Sequence, residues 1–497
     1  MQSIDEATVI LKATQETKDV LARALTDFYR YPEGLVRLGL SEGLSENDGY
    51  FRFGPDTVCY GRSRLGDGEL NPAAPLRDVW RDASVSEGCI RLPFNPSEII
   101  DNLRLERYPH RQLAGWESFL KRLYYLARPM TGRSARQRLQ RFHARRSRNL
   151  PFPSWPVDTT VENICEAIIL LLLESKEMES LPFIWFWPRG NRACILMTHD
   201  IETAAGRDFC PTLLDLDDSF GVKAALEVVP EERYHVSSDF IEDIRSRGFE
   251  VAVQDLNHDG RLFDDRKEFL RRATRIRDYA RQYGAKGFRS AVLYRKPEWY
   301  DALGVSYDMS MPNVAHLDPQ LGGCCTVMPY FIGKTLEIPV TTIQDYSLFY
   351  LLNERSIDLW TTQVERILAK NGLASFIVHP DYIIDRDTRR VYEELLTYLQ
   401  GLRDTMPLWF ALPREIDAWW RARSQMSIVK DGDSWRIEGE GSENAVLAFA
   451  KSVNGRLTYQ FADATAGCES RQTTSQRHTA TTPGRPSPFT LQQCPSL

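Results

Sequence analysis

The sequence predicts an α/β protein organised around a parallel sheet or α/β barrel, and three observations carry that reading. From Arg192 to about Ser424, short β-type runs such as "ACILMTHD", "KAALEVVP", "FEVAVQD" and "LASFIVHP" alternate with helical runs such as "KEFLRRATRIRDYARQYG" and "DTRRVYEELLTYLQGLRD". Strands alternating with helices of that length argue for parallel pairing. Polar and ionisable residues close several of the β-type runs, where parallel α/β folds gather their ligands. The 497 residues, 42% hydrophobic and 26% charged, have the composition of a soluble globular protein.

In chain order, residues 1–190 form an N-terminal region of mixed α+β character. "DEATVILKATQETKDVLARALTDFY" has helical spacing, and the Gly-rich stretch after it predicts hairpins and loops. "NPSEIIDNLRLERY" opens with a cap and a first-turn Glu, a helix start. "AGWESFLKRLYYLARPM" continues helically to Pro129. The Arg-rich stretch 133–148 reads first as a solvated helix face, and second as a basic surface for anionic lipid or a polyphosphate-linked glycan. "PFPSWPVDTTVENICEAIILLLLES" is an extended Pro segment followed by a capped, largely buried helix. Residues 191–425 are the α/β block. Residues 426–462 read as a small β segment packed on it, too short to stand alone. Residues 463–497, rich in Ser, Thr, Pro and Gln, are expected to be disordered.

A net charge of −6 argues against wholesale nucleic-acid binding. The longest apolar run, "AIILLLL", is far short of the ~20 residues that span a bilayer. The N-terminus does not read as a signal peptide, so a cytoplasmic location is expected. The nine cysteines include no CxxC pair, and Cys324 and Cys325 are expected to be packed thiols.

Six residues at predicted strand ends stand out: Asp200 with Glu202 in "THDIE", Gln254 and His258 in "QDLNHDG", Arg289 in "GFRSA", and His379 in "FIVHP". Asp200 and Glu202 lie two apart and share a face in extended chain. An acid pair, an imidazole and a guanidinium in that order suggest acid–base or metal-assisted chemistry. Taken singly, His258 is equally at home as a turn residue in "NHDG", and Arg289 as a buried ion-pair partner.

The series "THDIE", "QDLNH", "GFRSAVLYRKP", "YDMSMPN", "LEIPVTTIQD" and "FIVHP" resembles the polysaccharide deacetylases, carbohydrate esterase family 4, over roughly residues 190–415. The resemblance implies a distorted (β/α)7-type barrel. It implies Asp200 as base, His379 as general acid and Arg289 as the group orienting the base. It also implies Glu202, His258 and Gln254 at the metal positions, with zinc the expected divalent metal. Two departures stand out: Glu202 replaces the family's Asp, and Gln254 replaces the first His of H-x-x-x-H. An amide oxygen is a poor zinc donor beside an imidazole. Four outcomes follow: Gln254 ligates through oxygen, Asp255 substitutes, His199 contributes from the opposite strand face, or the metal is lost.

The expected function is therefore metal-dependent removal of N-acetyl groups from a sugar or glycan, in surface-polysaccharide biosynthesis. The alternatives are a glycan-binding pseudoenzyme on the same fold and a hydrolase of a small cyclic amide. Tyr294, Trp299, His316 and Asp381 are the expected substrate contacts.

Overall fold

The computed structural model describes residues 21–64, 68–86, 88–109, 150–176 and 178–462. The helix expected before Pro129, the Arg-rich stretch and the C-terminal tail lie outside the described residues. So does most of the first helical run, of which 21–29 is described as a helix.

The chain begins with short strands: β1 (Arg37–Leu40), β2 (Gly49–Arg52), β3 (Val58–Gly61), β4 (Ser84–Ser86) and β5 (Cys89–Leu92). They form a β1-β5-β4 sheet and a β2-β3 hairpin. The helix Pro96–Arg104 follows; the Asn95 side chain accepts the amides of Ser97 and Glu98, and Pro sits in the first turn. The helix Thr160–Glu174 buries Ile164, Ile168, Leu172 and Leu173 along one side.

The α/β block holds a nine-stranded sheet. Its strands are β7 (Ala193–Ile201), β8 (Ala224–Val228), β9 (Glu250–Gln254), β10 (Gly287–Arg289), β11 (Tyr307–Asp308), β12 (Tyr330–Ile332), β13 (Thr335–Glu337), β14 (Leu373–Ile377) and β15 (Leu408–Phe410). The order is β12-β13-β11-β10-β9-β8-β7-β14, with β15 also on β7. Only the β12–β13 pairing in this sheet is antiparallel. The expectation of a parallel sheet is met, with nine strands in place of a seven-stranded ring. The sheet curls: beyond β13, Thr342 N–H reaches Ser375 O of β14 at 3.3 Å, and Thr341 N–H reaches Ser375 Oγ at 2.9 Å.

Strand β7 is buried along all nine residues, because β14 lies on one edge while β8 and β15 share the other. Helices with capped starts cover the outer face. Thr203 caps Ala204–Ser219, Asp265 caps Arg266–Tyr283 and Asp385 caps Arg386–Thr405.

The C-terminal segment forms the β16 (Ser427–Asp431)–β17 (Ser434–Glu438) hairpin, and β18 (Leu447–Val453) paired with β19 (Arg456–Phe461). Strand β18 also pairs antiparallel with β6 (Leu181–Ile184), from the region before the α/β block. One hydrophobic cluster takes in Leu25 and Phe28, Ile164, Phe183, Leu196 of β7, Leu336 of β13 and Ala448 of β18. The core thus runs across positions 190 and 425.

Candidate functional site

Alternation along β7 decides which side chains reach the interior. Thr198 and Asp200 point in, and His199 points out. Thr198 Oγ1 donates to Phe376 O (2.7 Å) and accepts from Arg289 Nη2 (3.0 Å). His199 faces the helices: its Nε2 meets Asp217 Oδ2 at 2.9 Å and its Nδ1 meets Val378 O at 2.8 Å. Tyr392 donates to the other oxygen of Asp217. His199 is therefore committed behind the sheet and takes no part in the inner cluster.

Asp200 is 3% exposed. Its Oδ2 accepts the Gln254 amide N–H at 2.9 Å, and its Oδ1 lies 3.4 Å from Arg289 Nη1 without a hydrogen-bond partner. Register explains the meeting: Gln254 ends β9 directly opposite Arg289 of β10, and Asp200 lies one strand beyond β8. Thr198 and Ile377 are the last registered pair of β7 and β14. Asp200 is two residues further along β7, and His379, two past the end of β14, is the extended N-cap of the short helix Pro380–Ile383.

Glu202 follows the end of β7. Its backbone N–H donates to Asp381 Oδ2 at 3.1 Å, and Thr203 Oγ1 donates to the other carboxylate oxygen. This fixes the loop, and places Glu202 Oε1 2.9 Å from His258 Nε2 and 3.6 Å from His379 Nε2. Burial pushes the Glu202 carboxyl up, but the hydrogen bonds and charge of His258 and His379 hold it well below the usual carboxylate range.

His379 is buried, its Nδ1 lies 2.6 Å from Asp345 Oδ1, and its backbone N–H donates to Asp345 Oδ2 at 2.7 Å. Burial alone depresses this imidazole; the Asp345 and Glu202 carboxylates overcome that and hold it well above its ordinary value. The Tyr382 ring covers it at 4.9 Å.

His258 sits in a strained turn, with φ of +56° at His258 and +51° at Asp255. Arg233 ties the turn down. Its Nη2 donates to His258 O at 2.6 Å and to Nδ1 at 3.3 Å, and its Nε donates to Asn257 O at 3.3 Å. Burial lowers His258; the Glu202 carboxylate outweighs it and raises the group overall, against the Arg233 guanidinium. Beneath the site Glu227, Asp308 and Glu337 surround Arg289 in the interior; burial raises all three carboxyls, Asp308 to about 6.

The residues expected at the metal positions can be tested on this chemistry. Glu202 Oε1 and His258 Nε2 converge, and Gln254 Oε1 is buried without a partner. Yet among the described residues no group of three His, Cys, Asp or Glu side chains is placed to hold a metal ion. Gln254 spends its amide N–H on Asp200, and Asp255 Oδ1 accepts the Leu256 amide at 2.7 Å, while Asp255 Oδ2 and His258 Nε2 are buried without a hydrogen-bond partner. A zinc-binding imidazole normally donates its other N–H to a carboxylate or carbonyl. The group on His258 Nδ1 is a guanidinium, which cannot accept. Glu202 and His258 are two strong donors and the Gln254 amide oxygen a weak third, short of the three good protein ligands a catalytic zinc usually keeps.

The expected substrate contacts scatter. Asp381 anchors the Glu202 loop, and Tyr294 lies against Gly260 in the turn after His258. Trp299 packs on Phe263 and Phe269 beneath Arg266 and Lys296. His316 is 1% exposed, stacked on Trp155, and burial lowers it to about 4. Asp345 and Arg233 escaped the sequence reading. Asp345 closes the quoted "LEIPVTTIQD" run, so a strand-end acid was a readable signal; Arg233, in "EERYH", carries none.

No protein-family model matches the chain, and no curated protein does. Among solved structures it is similar to a Mycobacterium smegmatis protein assigned as a polysaccharide deacetylase, with 16% identity and a TM-score of 0.40 over 50% of this chain and 98% of that one. It is similar to PuuE allantoinase at 13% identity and TM-score 0.37, over 48% and 92%. It is also similar to the peptidoglycan deacetylase PdaC of Bacillus subtilis at 12% identity and TM-score 0.31, over 47% and 94%. Several of these neighbours are described as polysaccharide or peptidoglycan deacetylases. At these identities and scores they assign no activity to this chain. Among the described residues, no helix is long and apolar enough to cross a membrane.

Proposed function

We propose that the chain is a hydrolase of the deacetylase type, which cleaves the amide bond of an N-acetylated sugar or glycan. The observation that supports this is that Asp200, with an unpartnered carboxylate oxygen, lies at the end of β7, while His379, backed by Asp345, follows the end of the neighbouring strand β14. In this reading Asp200 Oδ1 takes a proton from water, whose oxygen adds to the acetamide carbonyl. His379 Nε2 then gives a proton to the departing nitrogen as the C–N bond breaks, leaving acetate and a free amine. The raised proton affinity of His379 suits a general acid at neutral pH. Arg289 keeps Asp200 oriented. No step is routed through a metal. A lipid-linked or nucleotide-linked intermediate of surface-polysaccharide synthesis is the proposed substrate, and the cytoplasm the proposed site of action.

A second reading, glycan binding without turnover, is favoured by one contact: the Gln254 amide occupies Asp200 Oδ2. Acetate release from a panel of N-acetyl sugars and oligomers separates the two. The hydrolase reading expects release that Asp200→Asn lowers by ~10³-fold and His379→Gln by ~10²-fold. Glycan affinity with no release from the unaltered protein would establish the second reading.

A further inference from the structure

We infer that Tyr346, Tyr350 and Tyr382 form an aromatic wall beside His379 that binds a second sugar ring, so that the substrate is a glycan of two or more sugars and not a free or nucleotide-linked monosaccharide. This rests on the hydrolase reading, in which His379 meets the amide nitrogen, and narrows its substrate.

The wall grows from the two residues that fix the reacting imidazole. Asp345, hydrogen-bonded to the His379 backbone N–H and to its Nδ1, is followed by Tyr346 and then by the turn Ser347–Leu352, which carries Tyr350. That turn is π-helical, an uncommon form that recurs at functional sites. Residues four apart on a helical turn stand one above the other, and the Tyr346 and Tyr350 rings lie 5.7 Å apart at 31°. On the other strand end, His379 caps the short helix Pro380–Ile383, which carries Tyr382. The Tyr382 ring lies 4.9 Å from the His379 imidazole, 5.8 Å from Tyr346 and 5.1 Å from Tyr350. The three rings thus make one continuous surface that begins at His379.

All three tyrosines are half-buried. Tyr350 and Tyr382 rest on the hydrophobic cluster under the outer helices, which steadies the rings and leaves part of each in solvent. Packing alone gives no reason to gather three phenols there, since phenylalanine buries the same face with no hydroxyl to satisfy. An apolar ring with a polar tip matches a pyranose, whose C–H face is apolar and whose rim is hydroxyl. Charge then selects among ring-bearing ligands. Glu202, Asp345 and Asp381 face Tyr382, and Asp345 and Asp385 face Tyr350. The cation beside Tyr350, Arg355, lies over Phe349 and donates to its carbonyl. A diphosphate on this wall would meet mostly like charge, and a neutral sugar would not.

The probes are N-acetylglucosamine and N-acetylgalactosamine, each alone, with one further sugar attached, and attached to a nucleoside diphosphate. Each is titrated into the full chain by calorimetry. A disaccharide should bind at least about tenfold more tightly than its monosaccharide, and Tyr346→Ala or Tyr350→Ala should each remove most of that gain. Disaccharides no tighter than their monosaccharides would overturn the inference, whether both bind or neither does. So would a gain that survives both substitutions, or a nucleotide-linked monosaccharide that outbinds the disaccharide. Should the variants fold poorly, proton NMR with the unaltered protein decides alone. Ring-current shifts on the C–H protons of the second sugar are expected, and shifts confined to the first sugar sink the idea. A disaccharide that binds as expected yet releases no acetate would count against the hydrolase and leave the wall standing; acetate release without the gain in affinity would do the reverse.

Discussion

A methyl group at position 206 would stand 2.3–2.7 Å from the Asp381 carboxylate, although the backbone there is ordinary helix. The carboxylate fills that space because it also takes Glu202 N–H and Thr203 Oγ1. Gly206→Ala should therefore cost about 1–3 kcal/mol, seen as a lower urea midpoint, and should displace Glu202. An unchanged midpoint would show that Asp381 can turn away. His379 offers a second check at this scale. Its folded proton affinity is raised, so its stabilisation is full below about pH 6.5 and is lost as pH climbs through the raised value. The alkaline limb of kcat/KM should lie above the ordinary histidine range. Asp345→Asn, which removes the largest raising influence, should bring that limb down; a limb that stays put would separate the rate from His379.

Between elements, buried charge does much of the joining. Arg295, in the loop after β10, is fully buried against Glu106, just past the helix Pro96–Arg104, and Glu106 also accepts Gly323 N–H. Removing one member of a buried pair strands the other, so Glu106→Ala should cost about 3–5 kcal/mol in denaturant unfolding. Glu162, in the helix Thr160–Glu174, accepts Val327 N–H at 3.1 Å and the Thr326 hydroxyl, while its other oxygen has no partner. Burial raises it to about 7. The folded state holds that proton more tightly than the unfolded chain, so stability falls as pH rises from about 4.5 through 7. The penalty above 7 is on the order of 3 kcal/mol. Glu162→Gln should flatten this slope between pH 5 and pH 8; an unaltered slope would place the titration elsewhere.

Across the whole molecule, distant segments meet at one guanidinium. Arg423, in the helix Pro413–Gln425, is fully buried and donates to Phe28 O (2.8 Å), Ile184 O (2.8 Å) and Trp185 O (3.1 Å). Burial lowers it to about 9, with the Arg30 guanidinium adding to the fall and the Asp27 carboxylate opposing it. A lysine cannot span three carbonyls in one plane, so Arg423→Lys should destabilise by about 2–4 kcal/mol. Because the core crosses position 190 and β18 pairs with β6, unfolding of residues up to 461 should be one transition by fluorescence and by circular dichroism. Two separated transitions would show that the N-terminal region and the α/β block are independent after all.

Local pattern alone determined a good deal about this protein. Alternating strand and helix runs announced the parallel sheet, and period-two alternation placed Asp200 inward and His199 outward, because both are properties of a few consecutive residues. The charged partners were not readable in that way. Asp345 reaches His379, Arg233 reaches His258 and Glu106 reaches Arg295 across 34, 25 and 189 positions. No spacing rule joins such pairs, since the curl of the sheet and the path of its loops bring them together. The sequence named Gln254 as the departure that mattered. Only the tertiary structure supplied its partner, an Asp200 oxygen one strand beyond β8, and set a guanidinium on the far nitrogen of His258. What packs against each side of an imidazole is decided by the whole fold, not by its neighbours in sequence.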